Sequence, residues 1–358
     1  MRVIVSAGGT GGHIYPALAI INKIKSEEPD SEFLYIGTHN RMENDIVPKA
    51  GIPFESIEIY GFSKKIFRNF KTAGCLLKSY KKCKKLIKEF NPDVVIGVGG
   101  YVTAPVIYAA KKLGFKTAIH EQNSLPGKSN RFLSKYSDLV FVSFKSSMSY
   151  FKGKTLYTGN PCSEDALGKK PVKKSVYGIN DKRKLVLFVM GSLGASRVNE
   201  YLVNIKDLFN GKDYDLLFVT GKSSYESISK NEFPSNVHVV PYVDGLTGLM
   251  KNSDLIVSRA GASTMSEIIA LELPSILIPS PYVANNHQYK NALDLVSVGA
   301  SEMIEEKDLK GDILVRKIDE ILYDDKKISS MKKNLKSMMV SNSASLIYNS
   351  LRELVDRK

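Results

Sequence analysis

At 358 residues, 43% of them apolar and 25% charged, the chain has the balance of a globular protein of two ordinary domains, which excludes a disordered or collagen-like polymer. Its formal net charge of +14 is unevenly placed: residues 1–160 carry 24 basic and 12 acidic side chains, the remainder 27 and 25, so the first half is expected to meet an anionic partner. No apolar run approaches the roughly 20 residues of a membrane span, and Ser6 leads into a glycine-rich turn where a secretory leader would continue apolar. The chain is therefore expected to stay in the cytosol, with Cys75, Cys83 and Cys162 as free thiols, since an odd number at unrelated spacings suits neither a disulfide framework nor a thiolate zinc site.

In chain order, the β-branched run at residues 3–6 predicts a first strand, closed by Gly8-Gly9-Thr10-Gly11-Gly12. Ile14, Leu18 and Ile21 then recur at helical spacing, with Pro16 in the first turn, where proline is tolerated. Bare amides at such a helix start favour an anion. Residues 33–37, 94–98, 117–120 and 139–142 read as further strands with helices between them. Within this half, residues 64–88 hold ten basic side chains (Lys64, Lys65, Arg68, Lys71, Lys78, Lys81, Lys82, Lys84, Lys85, Lys88) and no acid, with Ile66, Phe67, Phe70, Leu76, Leu77, Leu86 and Ile87 interleaved. That composition suits docking on an anionic membrane, with apolar residues inserted shallowly and each lysine contributing about 1 kcal/mol. The plainer alternative is a solvated helix whose apolar side packs on the sheet.

A polar stretch around Pro161 and Pro171 then precedes a restart at residues 185–190. A second glycine corner follows, Gly191-Ser192-Leu193-Gly194-Ala195, and later strands are expected at 216–220, 237–240, 255–258 and 275–279. Strands alternating with helices predict parallel sheets covered on both faces. The expectation is an α/β chain of two doubly wound, Rossmann-like domains with a linker near Pro161. Two anion-type corners suggest a ligand in the cleft between the domains.

Three other ligand motifs do not fit. The dinucleotide fingerprint needs a third glycine where Ile14 stands and an acid closing the second strand, which ends Gly37-Thr38-His39. Gly221-Lys222-Ser223 lacks the first glycine of a P-loop, replaced by Leu216, and reads as a turn after a strand. Asp213-Tyr214-Asp215 has the spacing of a metal-binding pair but stands before a strand, away from the end where sheet-based sites form.

Seven loops occur in one order: Gly8-Gly9-Thr10-Gly11-Gly12-His13 through Pro16, Gly99-Gly100-Tyr101, His120-Glu121-Gln122-Asn123, Gly159-Asn160-Pro161, Gly191-Ser192-Leu193-Gly194, Arg259-Ala260-Gly261-Ala262 through Glu267, and Gln288-Tyr289-Lys290-Asn291-Ala292. From end to end this resembles the MurG family of N-acetylglucosaminyltransferases. The resemblance implies a GT-B fold with a first domain at 1–162 that takes the acceptor and the membrane, a second at 163–340 that takes UDP-N-acetylglucosamine, and residues 341–358 crossing back to the first. It implies an inverting transfer of GlcNAc to the C4 hydroxyl of MurNAc in undecaprenyl-pyrophosphoryl-MurNAc-pentapeptide (lipid I), giving lipid II. That is a step of peptidoglycan synthesis and, through it, of cell-wall biogenesis, cell shape and division, performed at the cytoplasmic face of the cell membrane by a peripheral protein. The alternatives are a related transferase acting on diacylglycerol and a catalytically silent UDP-sugar-binding membrane protein. No cofactor, metal or nucleic acid is expected.

Carried over by position, the resemblance places the donor on Thr10, Gly11, Gly12, Asn123, Ser192, Val243, Ala262, Ser263, Thr264, Met265, Ser266, Glu267 and Gln288. One position departs: the family usually has an arginine where this chain has Ser163, so either a cation such as Arg197 substitutes or donor affinity is weaker. His13, at a helix start that favours a neutral imidazole, is the leading candidate for general base, with Glu121 as the second. A histidine that only shapes the loop is the alternative. Tyr101, His120 and Gln122 are candidates for acceptor contact or for packing. Ser263, Thr264 and Ser266 at a helix start would hold the donor's phosphates. The spacing from Thr264 to Glu267 reads as a capping box, whereas the family likeness implies that Glu267 accepts hydrogen bonds from the ribose hydroxyls of UDP.

Overall fold

The computed structural model describes residues 1–61, 66–191 and 195–357, with side chains omitted at 66–71 and 73. The chain divides into one unit of Met1–Cys162 with Asn342–Lys358 and a second of Ser163–Ser341. In the first, strands β1 (Arg2–Ala7), β2 (Glu32–Thr38), β3 (Phe54–Ile57), β4 (Val94–Gly99), β5 (Lys116–Glu121), β6 (Leu139–Val142) and β7 (Thr155–Tyr157) form a parallel sheet of order β3-β2-β1-β4-β5-β6-β7. In the second, β8 (Lys184–Val189), β9 (Tyr214–Val219), β10 (Val237–Val240), β11 (Leu255–Ser258), β12 (Ser275–Leu277) and β13 (Glu302–Met303) are ordered β10-β9-β8-β11-β12-β13, again parallel. Both units are doubly wound. Strand order reverses between β1 and β4, and again between β8 and β11. Parallel sheets open a crevice beyond the carboxyl ends at such a switch point. The loops leaving β1 and β4 are Gly8–Gly12 and Gly99–Gly100, and β11 leads into Arg259–Ala262. Topology thus gathers the quoted motifs at one end of each sheet.

The helices of the first unit are α1 (Gly11–Glu27), α2 (Glu43–Lys49), α3 (Ile66–Phe90), α4 (Thr103–Lys112) and α5 (Lys128–Leu133), with α6 (Cys162–Gly168) at the unit boundary. The second unit holds α7 (Ser196–Asn204), α8 (Lys222–Ile228), α9 (Leu246–Met250), α10 (Ala262–Ala270), α11 (His287–Val296), α12 (Ile313–Leu322) and α13 (Asp325–Met338); α14 (Ser343–Asp356) returns to the first. Alternate residues of β1 serve opposite faces, because a strand's side chains have period two. Val3, Val5 and Ala7 pack with Ile14, Ala17, Ile20, Ile21 and Ile24 of α1 and with Ile347 and Leu351 of α14. Ile4 joins Val95, Ile119, Val106, Cys83 and Ile87 on the other. Glu28, just past α1, fixes the returning helix by accepting from Tyr348 Oη at 3.0 Å and pairing with Arg352 at 3.2 Å. In the second unit β8 and β9 pack on α12, with Phe188 edge-on to Phe218 at 5.4 Å.

Sequence pattern located every long strand and missed β3, β7 and β13, which have four, three and two residues and no apolar run of their own. The strand expected to reach Pro279 stops at Leu277. All three cysteines are free thiols. Asp213 and Asp215 prove to be structural: Asp213 accepts from Tyr323 Oη, while Asp215 pairs with Arg183 at 2.8 Å and bonds His238. Gly221 caps the start of α8. No helix among the described residues is long and apolar enough to cross a membrane.

In α3 the apolar side of its second half faces inward. Cys83 and Ile87 are buried and Leu76 and Leu86 pack beside them, so these leucines and Ile87 belong to the core, correcting their expected role as membrane-inserting residues. Among the described side chains of that set only Leu77 is exposed, at 64%. Lys78, Lys81, Lys85 and Lys88 are all exposed and, spaced by three and four, share one face of the helix. Lys82 pairs with Glu55 and Lys84 lies over Tyr80. Lys64 and Lys65 and the side chains of Ile66, Phe67, Arg68, Phe70 and Lys71 lie outside the described residues.

Candidate functional site

In the first unit, Thr10 caps α1 without a side-chain bond to it and Gly11 opens the helix. His13 therefore stands in the first turn. Its Nδ1 lies 3.0 Å from the carbonyl oxygen of Gly8. A carbonyl only accepts, so the neutral ring carries its proton on Nδ1 and its lone pair on Nε2, the tautomer a base on Nε2 requires. The ring rests on Gly99, whose φ is +132° and where a Cβ would come within 2.5 Å of His13 Cδ2. Gly99 thus serves both a left-handed backbone and a close approach.

Glu121 is buried at the end of β5 and accepts four hydrogen bonds, from Asn123 N at 2.9 Å, Asn123 Nδ2 at 3.1 Å, Gly127 N at 3.0 Å and Asn130 Nδ2 at 3.0 Å. Both oxygens are committed to the loop that carries Asn123. So held, Glu121 braces that loop. His120 is fully buried, its Nε2 facing the Gly159 carbonyl and its Nδ1 receiving Gln122 Nε2. Burial outweighs the Gly159 bond and holds its imidazole down at about 4, so it is neutral. Gln122 also donates to Val98 O at 2.6 Å, tying β5 to the strand end beneath Gly99. His120 and Gln122 are packing groups. Of the three candidates for acceptor contact or packing, only Tyr101 is at the surface, 61% exposed, with its ring over Gly61.

In the second unit, α10 starts three residues earlier than the capping box requires, with its cap at Gly261 in place of Thr264. Ala262, Ser263 and Thr264 form the first turn with amides that no carbonyl of the helix can reach. Glu267 is then inside the helix, and its Oε1 accepts instead from Thr247 Oγ1 of α9 at 2.8 Å. The capping-box reading is overturned, and the carboxylate is left at the ligand end of the sheet. Burial pushes the Glu267 carboxyl up to about 7, outweighing the Thr247 bond, which lowers it. Ser263 Oγ is buried with no partner among the described residues, whereas Ser266 Oγ bonds back to Ser263 O at 2.6 Å. Ser266, beyond the first turn, is not a phosphate donor through its amide. Met265, Ala262 and Val243 are buried and offer backbone only.

Gln288, near the start of α11, accepts from Ser280 N at 2.8 Å, which aims its amide group by fixing the carbonyl end. Before it, Asn285 and Asn286 both take left-handed conformations, φ 55° and 51°. Asn291 Nδ2 holds Ala260 O at 3.1 Å, joining α11 to the α10 corner. Arg259 pairs with buried Glu306 at 2.7 Å and donates to Ile278 O, a structural role. Ser192 lies outside the described residues. Ser163 is buried, and Arg197 stands exposed at the start of α7. Sequence reasoning missed Thr247 and Glu43. Neither lies in a quoted motif, and each is recognised only by the group it reaches across the fold.

Two family models match the chain: the glycosyltransferase family 28 N-terminal domain over residues 3–142 and the glycosyltransferase family 28 C-terminal domain over residues 185–347. A Bacillus cereus protein named UDP-N-acetylglucosamine--N-acetylmuramyl-(pentapeptide) pyrophosphoryl-undecaprenol N-acetylglucosamine transferase 1 is 47% identical over 364 aligned positions, covering 100% of both chains. The chain belongs to glycosyltransferase family 28 and, within it, to the MurG group. The crystal structure of Acinetobacter baumannii MurG superposes with a TM-score of 0.80 at 25% identity, covering 98% of this chain and 99% of that one. A putative UDP-N-acetylglucosamine 2-epimerase from Listeria monocytogenes superposes at 0.73 with 13% identity, covering 100% and 97%. The epimerase shares the fold alone.

Proposed function

We propose that the chain transfers N-acetylglucosamine from UDP-N-acetylglucosamine to the C4 hydroxyl of the MurNAc unit of lipid I, releasing UDP and forming a β1,4-linked disaccharide, lipid II. The observation that carries this reading is full-length identity of 47% to a protein named for that transfer. The local geometry supports it.

The amides of Ala262, Ser263 and Thr264 and the Ser263 hydroxyl, which has no partner among the described residues, face the end of the sheet where an anion is favoured by the α10 dipole. They hold the donor's pyrophosphate and take up charge as UDP departs. Glu267 receives the ribose hydroxyls, and Gln288 reads the sugar through its aimed amide. His13 Nε2 removes the proton from the acceptor hydroxyl as that oxygen attacks the anomeric carbon. Attack opposite to UDP inverts the α donor. Because amides and hydroxyls stabilise the leaving group, transfer is expected to proceed in EDTA.

The test is transfer of labelled GlcNAc from UDP-GlcNAc to a short-chain lipid I analogue in EDTA, with diacylglycerol and UDP-glucose as controls. A β1,4 disaccharide-lipid is the expected product. Product on diacylglycerol alone, or donor binding with no product, would discard the acceptor assignment, and inactivity in EDTA relieved by magnesium would discard the metal-free mechanism.

The acceptor is a polyprenyl lipid, and the lysine stripe of α3 is the surface that meets its membrane. Lys78, Lys81, Lys85 and Lys88 lie on one exposed face beside Leu77, each worth about 1 kcal/mol against anionic headgroups. Reversing all four to glutamate is expected to release the protein from phosphatidylglycerol vesicles in a flotation assay while UDP binding is retained. Unchanged flotation would remove α3 from the docking surface.

A further inference from the structure

Glu43 is fully buried at the start of α2, and among the described residues no lysine or arginine pairs with it. An acid at a helix start ordinarily serves its own helix. This one turns back under the glycine loop: Oε1 accepts from Thr38 N at 2.9 Å, and the two oxygens lie 3.3 and 3.2 Å from Gly9 N. The approach is close enough that a Cβ at Gly8 would collide with Oε1. A buried carboxylate costs several kcal/mol relative to water, and a glutamine carbonyl would serve the Thr38 amide as well. A fold that keeps a costly charge where a neutral group would hold the loop points to use of the charge itself.

The use is visible in one peptide group. The N–H of Gly9 donates to Glu43, and the C=O of that same peptide, on Gly8, accepts from His13 Nδ1 at 3.0 Å. We propose that Glu43 and His13 form a dyad joined through the Gly8–Gly9 peptide, with Glu43 the positioning residue of the base. The inference rests on His13 being that base. Hydrogen bonds in series polarise one another. A carboxylate drawing on the N–H enriches the carbonyl oxygen, which then holds Nδ1–H more firmly. The positive charge that forms on the ring when Nε2 takes the acceptor's proton is thereby stabilised, and the ring is kept in one tautomer. The role matches that of the acid in a histidine–carboxylate pair, transmitted across one amide.

Of the described residues, Thr10 and Gly99 border the imidazole, and neither titrates. Thr38 of β2, Phe54 of β3 and Tyr35 of β2 border the carboxylate. Of these only Tyr35 titrates, and burial together with the charge of Glu43 raises its phenol far out of the working range. Asp45 and Lys49, on the helix of Glu43 itself, are exposed.

The experiment is an NMR titration of the five imidazoles in the full-length 15N-labelled protein, His13 being assigned by the signal lost in His13→Ala. In Glu43→Gln, which keeps shape and one acceptor, the His13 midpoint is expected to fall by about 0.5 to 1 pH unit, with the UDP dissociation constant within about twofold of the parent. A folded Glu43→Gln with an unmoved midpoint overturns the dyad. Should that variant fail to fold, the unmodified protein decides: the Gly9 amide proton is expected to shift through the His13 midpoint, and a Gly9 amide indifferent to it overturns the dyad. Full turnover by His13→Ala would instead overturn the base assignment, whereas an inactive His13→Ala beside an unmoved midpoint removes the dyad alone.

Discussion

Replacing His13 with alanine is expected to lower kcat for GlcNAc transfer by about 10²- to 10⁴-fold, the usual contribution of a positioned general base, while the UDP-GlcNAc dissociation constant changes less than about threefold. The asymmetry follows from placement. His13 sits in the first unit, on the first turn of α1, with its Nδ1 proton given to Gly8. The groups assigned to UDP lie on α10 and α11 of the second unit. A residue that acts on the acceptor proton is felt only when the transition state forms, so kcat and kcat/KM fall together. Steady-state rates and calorimetric donor binding on the same preparation measure both sides. Equal losses in turnover and donor affinity would mean that His13 shapes the site or touches phosphate and takes no proton.

The second large effect is at Glu267. With a carboxyl pushed up to about 7 by burial, the empty protein holds a mixture of acid and carboxylate at neutral pH. Ribose hydroxyls donate best to the ionised form, so UDP affinity is expected to rise between pH 6 and pH 8 and to level above. Binding near neutrality should release a proton, seen as a calorimetric enthalpy that varies with buffer. Glu267→Gln is expected to weaken UDP binding by about tenfold or more, the value of a charged hydrogen bond, and to abolish the pH dependence. The linkage has a stability side of opposite sign. A folded value raised above the unfolded one favours the fold fully below about pH 4.5, and that advantage, on the order of 3 kcal/mol, is lost as pH rises through about 7. The UDP-free Glu267→Gln protein should therefore melt higher than the parent at pH 8, and UDP should narrow the difference. A pH-independent donor affinity in the parent would remove Glu267 from the ribose.

The sheets and the family were legible because their signals are local or collinear. Buried parallel strands such as β1 and β4 announce themselves as apolar runs, and seven loops in register carry the family. What the sequence concealed depends on reach across the fold. Sequence offers Glu121 as the second candidate base after His13 but does not show the four hydrogen bonds from residues 123, 127 and 130 that brace its carboxylate against the following loop. Thr264 and Glu267 matched a capping box because the pattern is defined by spacing alone. The true start of α10 is set by Gly261, whose extended backbone ends the loop earlier. Leu86 and Ile87 read as membrane-facing only until the sheet beneath α3 was placed. Glu43 carried no signal at all, since Glu43 and Asp45 together read as ordinary acids in the first turn of a helix.

The return of α14 to the first unit has a consequence for synthesis. Residues 163–341 form a contiguous unit that is complete when the ribosome has passed it, whereas the first unit lacks its last helix until then. At about 5 to 20 residues per second, that interval is roughly 10 to 35 s. Throughout it, the surface of α1 later covered by Ile347 and Leu351 stands open on the nascent chain. The half made first is therefore sealed last, because its core on α1 is closed only by residues 342–358.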